Sequence, residues 1–204
     1  MIVIGLIGPI AAGKSVVLDE FRRHGAVTVE ADSISRELLQ ADAPLLEEVV
    51  EEFGEQFVDA EGRLKRRELA EVVFADADAR KRLEQIVHPA MVRWMSDFIR
   101  QHRIRAETEV IAVEAANLVA MGALPLVDLT VLVTAPRETR LQRLINRDGL
   151  RSEEAERRLR LHDELEIDDF QADYVIDTGC SEAFTRAIAK QVLSDIVQLA
   201  DGSA

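Results

Sequence analysis

The sequence predicts an α/β fold, a mostly parallel five-stranded sheet with helices on both faces, and three observations carry that prediction. Short apolar runs recur along the chain at "MIVIGLI", "AVTVEA", "EVIAVEA", "LTVLVT" and "DYVID". Turn or charged residues bound each run and helical patterns separate one from the next, the alternation that buries a parallel sheet between helices. The first run passes directly into "GPIAAGKS", residues 8–15, and a helical pattern follows it, so strand, glycine loop and helix come in the order that a phosphate-binding loop requires.

Bulk properties bound the rest. The chain has 204 residues, enough for one sizeable core with an inserted subdomain. A net charge of −13 repels a polyphosphate backbone and argues against nucleic acid as a partner. Cys180 is the only cysteine, which excludes an intramolecular disulfide and a Cys-rich zinc site and points to a reducing, cytoplasmic setting. The N-terminal apolar run is too short to span a membrane and lacks a basic lead, so it is expected to be a buried strand and no membrane partner is expected.

Between the second and third strands, residues 32–107 are almost wholly helical in pattern and suggest a helical subdomain on the substrate side. "DAEGR", 59–63, is expected to turn ahead of "RRELAEVVF" and "ARKRLEQIV". Pro89 is expected to open the next helix, which carries Met91, Trp94, Met95 and Phe98. After "LTVLVT", residues 136–161 contain eight arginines and little apolar content beyond Ile145; a solvated helix pair or a lid would account for both. The tail "DGSA" is expected to fray.

In the loop, Gly8 and Gly13 stand where a positive φ or a close backbone approach is expected. Ala11 and Ala12 still supply amides, and Val16 follows at the helix start. Lys14 reaches β and γ oxygens, and Ser15 ligates magnesium. Pro9 withdraws one donor. No Asn-Lys-x-Asp base-reading motif of a GTPase is present, which leaves small-metabolite kinases. The second run ends in Glu30 and Asp32 at the carboxyl edge of the sheet, where open α/β proteins bind ligands. Asp32 either takes the proton of an attacking hydroxyl or caps the helix starting near Ser33.

At this point the sequence resembles the dephospho-coenzyme A kinase family over almost its whole length. The residues that carry the likeness are "IGLIGPIAAGKS", "VEADSISREL", "EGRLKRRELAEVVFADADARKRLEQIVHP", "RLINRDGL" and "ADYVIDTG". The resemblance implies a three-layer P-loop kinase fold. Its nucleotide-binding core covers about 1–31, 108–147 and 172–204, its helical substrate subdomain about 32–107 and its helical lid about 148–171. It implies ATP-dependent phosphorylation of the ribose 3′-hydroxyl of dephospho-coenzyme A, with ATP and Mg2+ required. Matched position by position, Asp32 is the catalytic base, Arg36 a substrate or phosphate contact (or a surface salt bridge), and His88 a pocket residue (or a helix-start histidine satisfied by backbone). Arg143 and Arg147 fall on lid arginines suited to bidentate phosphate contacts and charge neutralisation during transfer. Glu114 ends the third strand and is positioned by sequence to hold a magnesium-bound water. Departures from the family pattern fall at Ile7, Val16, Asn117, Ala120 and Thr178, the last standing where asparagine is usual. A kinase of another nucleoside or small alcohol, and a nucleotide-binding regulator without turnover, are the alternatives.

Overall fold

The computed structural model describes residues 1–41, 43–163 and 171–202. Five strands form the sheet: β1 (Ile2–Ile7), β2 (Val27–Glu30), β3 (Val110–Glu114), β4 (Leu129–Thr134) and β5 (Tyr174–Asp177), in the order β2-β3-β1-β4-β5. The β3–β1, β1–β4 and β4–β5 ladders are parallel. β1 therefore lies at the centre, and its unbroken apolar run follows from burial on both faces: Val3, Ile4, Leu6 and Ile7 are all essentially inaccessible. The chain leaves β1 towards β2 and β3 on one side and later crosses to β4 on the other. This makes the carboxyl end of β1 a topological switch point, the place where ligands bind in open α/β sheets.

The helices are α1 (Lys14–Arg23), α2 (Ala31–Ala41), α3 (Ala43–Phe53), α4 (Arg66–Ala75), α5 (Ala77–Arg105), α6 (Arg137–Asp148), α7 (Ser152–Asp163) and α8 (Glu182–Asp201). Two compact units emerge, one of residues 1–29 and 99–204 and the other of residues 30–98, with the boundary inside α5. In the first, α1 and α8 close the sheet over a core that includes Ile4, Leu6, Val17, Phe21, Val131, Val133, Ile176, Leu193 and Ile196. Arg186 of α8 ties the two helices by pairing with Asp19 at 2.7 Å and Glu20 at 3.1 Å. Guanidinium hydrogen bonding holds the Asp19 carboxyl below its ordinary range and pushes Arg186 upward.

The second unit is helical apart from a turn. There Asp59 Oδ1 accepts from the backbone N–H of Glu61 at 3.0 Å and of Arg63 at 2.8 Å, as "DAEGR" led us to expect. Pro89 does not open a helix: α5 runs through it for 29 residues. Proline costs that helix the hydrogen bond to the Gln85 carbonyl, but Val87, Met91 and Met95 are all buried at four-residue spacing, and continuous burial of that stripe outweighs one lost bond.

Residues 136–161 are less solvated than their composition suggests. Leu144 of α6 and Ala155 and Leu159 of α7 are fully buried in a small core, against which Leu141, Ile145 and Leu150 pack, together with Ile10 and Ala11 of the glycine loop. Charge is disposed around this core: Arg137 pairs with Glu156 at 2.6 Å and Arg158 with Glu154 at 3.1 Å. Part of the expected lid, residues 164–170, and the last two residues of the tail lie outside the described residues; Asp201, which was expected to fray with that tail, ends α8.

Candidate active site

The glycine loop connects β1 to α1 at the switch point. Gly8 has φ 148° and Gly13 φ 94°, both in the range that favours glycine. A Cβ on Gly8 would sit 2.2 Å from the Val133 carbonyl oxygen, so β4 backbone forbids any side chain there. The loop also uses a third left-handed position, Ala11 at φ 59°. An L-residue there costs about 1–2 kcal/mol, and the sequence gives no sign of it. Two amides are spent on the loop's own carbonyls: Ala12 N–H donates to the Pro9 carbonyl at 3.2 Å and Val16 N–H to the Gly13 carbonyl at 3.0 Å.

Lys14 folds back over this turn, its Nζ donating to the carbonyls of Gly8 at 2.9 Å and Pro9 at 3.2 Å. The Glu114 carboxylate stands 3.5 Å from the same nitrogen. Strand register explains the meeting, because Glu114 pairs with Leu6, two residues before the loop begins. Ser15, at the start of α1, is exposed. A serine hydroxyl and a glutamate carboxylate are hard oxygen donors of the kind magnesium takes, one or two from protein and the remainder from water and phosphate. These residues therefore fit that ion. Among the described residues no group of three or more His, Cys, Asp and Glu could hold a metal.

Arg143 and Thr178 hold the loop from behind. The Arg143 guanidinium donates to the Thr178 carbonyl at 2.6 Å, to the Thr178 hydroxyl at 2.8 Å and to the Ala11 carbonyl at 3.3 Å. The Thr178 hydroxyl in turn donates to the Ala12 carbonyl. Thr178 is 1% exposed, so this threonine is a buried latch between β5 and the loop. Arg147, four residues further along α6, is exposed and pairs with Asp148 at 2.7 Å, which raises its affinity for protons and holds the Asp148 carboxyl low. Arg140 on the same helix is buried.

The remaining sequence-derived candidates lie in the helical unit. Helix α2 begins at Ala31, directly after β2, so Asp32 occupies its first turn. The expected helix start near Ser33 is corrected, and with it the capping role; the carboxylate is exposed. Arg36, one turn further on, is exposed too. Arg66, at the start of α4, was not singled out from sequence. Its Nη1 is buried with no hydrogen-bond partner. Burial and the nearby positive charge of Arg36 lower the proton affinity of Arg66, and Asp32 opposes them. His88 is half-buried on α5, and burial pushes its imidazole below its ordinary pKa against the pull of Glu84, one turn earlier.

Comparison with known proteins then fixes the family. A family model described as dephospho-CoA kinase matches residues 2–183. The chain belongs to the dephospho-CoA kinase family. It is 38% identical over 189 residues to the dephospho-CoA kinase of Geobacter sulfurreducens, covering 92% of this chain and 95% of that one. With the dephospho-CoA kinase of Corynebacterium diphtheriae it shares 35% identity over 192 residues, covering 94% and 96%. A solved dephospho-CoA kinase from Campylobacter jejuni superposes with a TM-score of 0.70 at 25% identity, covering 96% of this chain and 97% of that one. Kinases of this family use ATP as phosphoryl donor. No described helix is long and apolar enough to cross a membrane.

Proposed function

We propose that the chain phosphorylates the ribose 3′-hydroxyl of dephospho-coenzyme A with ATP, giving coenzyme A and ADP, the last step of coenzyme A synthesis, in the cytoplasm. Membership of the dephospho-CoA kinase family over residues 2–183 is the observation that carries this reading. The Lys14–Glu114 arrangement at the loop supports it, since it joins the cation and the acid that phosphoryl transfer uses at a switch point.

The Gly8–Gly13 turn and Lys14 receive the β- and γ-phosphates of the donor. Ser15 and Glu114 are the residues that would hold Mg2+, Ser15 directly and Glu114 through water. When bound, Mg2+ neutralises charge on the β- and γ-oxygens. Asp32 accepts the proton of the 3′-hydroxyl as its oxygen bonds to the γ-phosphorus, and the bond from that phosphorus to the β–γ bridging oxygen breaks, leaving ADP. Arg147, released from Asp148, supplies positive charge to the transferring phosphoryl group, and Arg143 supports the nucleotide through the loop it latches. Arg36 and His88 serve the acceptor. The segment of about residues 148–171 acts as the lid, and residues 32–107 as the substrate subdomain.

The test is an ADP-release assay with dephospho-CoA, ATP and Mg2+, run beside Asp32→Asn. The variant is expected to keep its ATP affinity and to lose about 10²–10⁴-fold in turnover, the usual contribution of a positioned general base. Equal turnover in the variant removes Asp32 from the mechanism, and absence of any preference for dephospho-CoA over other alcohols removes the substrate.

A further inference from the structure

The guanidinium of Arg147 is engaged by its own neighbour in the chain. Residues four apart on a helix are neighbours on one face, so Arg147 follows Arg143 along α6, and Arg143 reaches the carbonyls of Ala11 and Thr178. Arg147 is turned instead onto the next residue: its Nε donates to Asp148 Oδ1 at 2.7 Å and its Nη2 to Oδ2 at 3.0 Å. Adjacent helical residues do not face one another, so this two-pronged contact requires both side chains to bend towards each other. Asp148 is also the last residue of α6, where the helix dipole favours a cation over a carboxylate. A second arginine stands at the same carboxylate. Arg158 of α7 has its Nη1 3.6 Å from Asp148 Oδ2, while its Nη2 donates to Glu154 at 3.1 Å. The two guanidiniums, Arg147 foremost, hold the Asp148 carboxyl below its ordinary range. Arg158 lies between Ala155 and Leu159 in the chain, and these two belong to the small core against which Ile10 and Ala11 of the glycine loop pack.

We propose that Asp148 is a positioning residue that exchanges arginines: it holds Arg147 aside until the γ-phosphate of ATP takes that guanidinium, and then passes to Arg158. The proposal rests on the reading of Arg147 as the arginine that serves the transferring phosphoryl group. A phosphate competes with Asp148 on even terms, since each offers the planar fork of Arg147 two oxygens side by side. Once Arg147 leaves, Asp148 stands as an unpaired carboxylate at the helix end where negative charge is least favoured. Arg158 is the cation already at hand. From 3.6 Å it has to close by only about 0.8 Å to reach the length of a charge-assisted hydrogen bond. That closure draws α7 against the end of α6, and so towards the core on which Ile10 and Ala11 rest. Asp148 thereby couples occupation of the phosphate site to tightening of α7 on the loop, without itself touching ATP.

The affinity for ATP with Mg2+, measured by titration calorimetry without acceptor, tests the exchange. Asp148→Asn keeps the size of the side chain and removes its charge. It is expected to bind ATP roughly 2–5-fold more tightly, the strength of an exposed ion pair that no longer opposes the phosphate. A merely structural role for Asp148 would not tighten binding. Arg158→Met is expected to weaken ATP binding by a similar factor, because Asp148 is then left alone when Arg147 departs. The two changes should be non-additive: beside Asp148→Asn, Arg158→Met should alter nothing. Beside Arg147→Met, Asp148→Asn should likewise alter nothing, since no guanidinium remains to be freed. Unchanged or weaker ATP binding by Asp148→Asn overturns the exchange. So does a gain that persists without Arg147, which marks a general effect of negative charge near the phosphates. A loss from Arg158→Met that persists beside Asp148→Asn overturns it too, because Arg158 then meets the phosphates directly. Turnover of dephospho-CoA by Arg147→Met at the parent's rate removes the underlying reading of Arg147 instead, and the two failures are distinguishable.

Discussion

Replacing Thr178 by valine tests the latch behind the glycine loop with almost no change of shape. The buried hydroxyl donates to the Ala12 carbonyl and accepts from Arg143 at 2.8 Å. Valine leaves that carbonyl, on a residue 1% exposed, without its partner, a cost of about 1–3 kcal/mol. It also removes one acceptor from a charged donor, typically worth about 1.5–3 kcal/mol, of which part survives through the contacts of Arg143 with the Thr178 carbonyl at 2.6 Å and the Ala11 carbonyl at 3.3 Å. The added methyl returns up to about 0.8 kcal/mol. Net destabilisation should be roughly 2–4 kcal/mol by urea unfolding, a fall of roughly 5–10 °C in Tm for a chain of this size. Thr178→Ser keeps both hydrogen bonds and should cost only about 1 kcal/mol. Because the contacts end on Ala11 and Ala12, the valine variant should also lose part of its thermal stabilisation by ATP. A valine variant within about 0.5 kcal/mol of the parent, or a serine variant as unstable as the valine one, would show that the hydroxyl does not hold the loop.

Glycine substitutions separate strain from clash. Gly25→Ala, at φ 93° with open space around its Cβ, should cost only the left-handed penalty of about 1–2 kcal/mol. Gly8→Ala adds the 2.2 Å approach to Val133 and should lose both more stability and its ATP binding; equal effects of the two would refute the close-approach argument. His88 gives a pH prediction whose sign follows from burial. Its folded pKa lies below the ordinary 6.5, so as pH falls the unfolded chain takes up the proton first. The stability it contributes is complete above that value, is lost as pH falls from there towards the folded pKa, and levels off below it. NMR titration of the imidazole should show the depressed pKa, and His88→Asn should remove that part of the acid dependence of Tm. An imidazole titrating at or above its ordinary value contradicts the burial argument.

The elements most legible in the sequence are those whose signal is local. The strands fall on the five apolar runs, because residues buried on both faces of a parallel sheet must be continuously apolar. Gly8, Gly13, Lys14 and Ser15 were legible as a phosphate loop, since turn, close approach, cation and hydroxyl are each dictated by residue type. Pro89 misled, because proline's local preference for a helix start is weaker than a buried stripe running past it on both sides. Ala11 in a left-handed conformation was not legible either: nothing about an alanine reports that it packs against a core formed by Leu144, Ala155 and Leu159 or that its φ is positive.

By itself, then, the sequence determined the sheet and helix alternation, the loop chemistry and, by resemblance, the family. Those properties are written in residue type and short spacing. Tertiary structure alone decided that Glu114 meets Lys14 and that Thr178 and Arg143 clasp the loop. Each of these joins residues at least 35 positions apart in the chain. Partners at such distance are chosen by strand register and helix packing, which no local pattern of residues encodes.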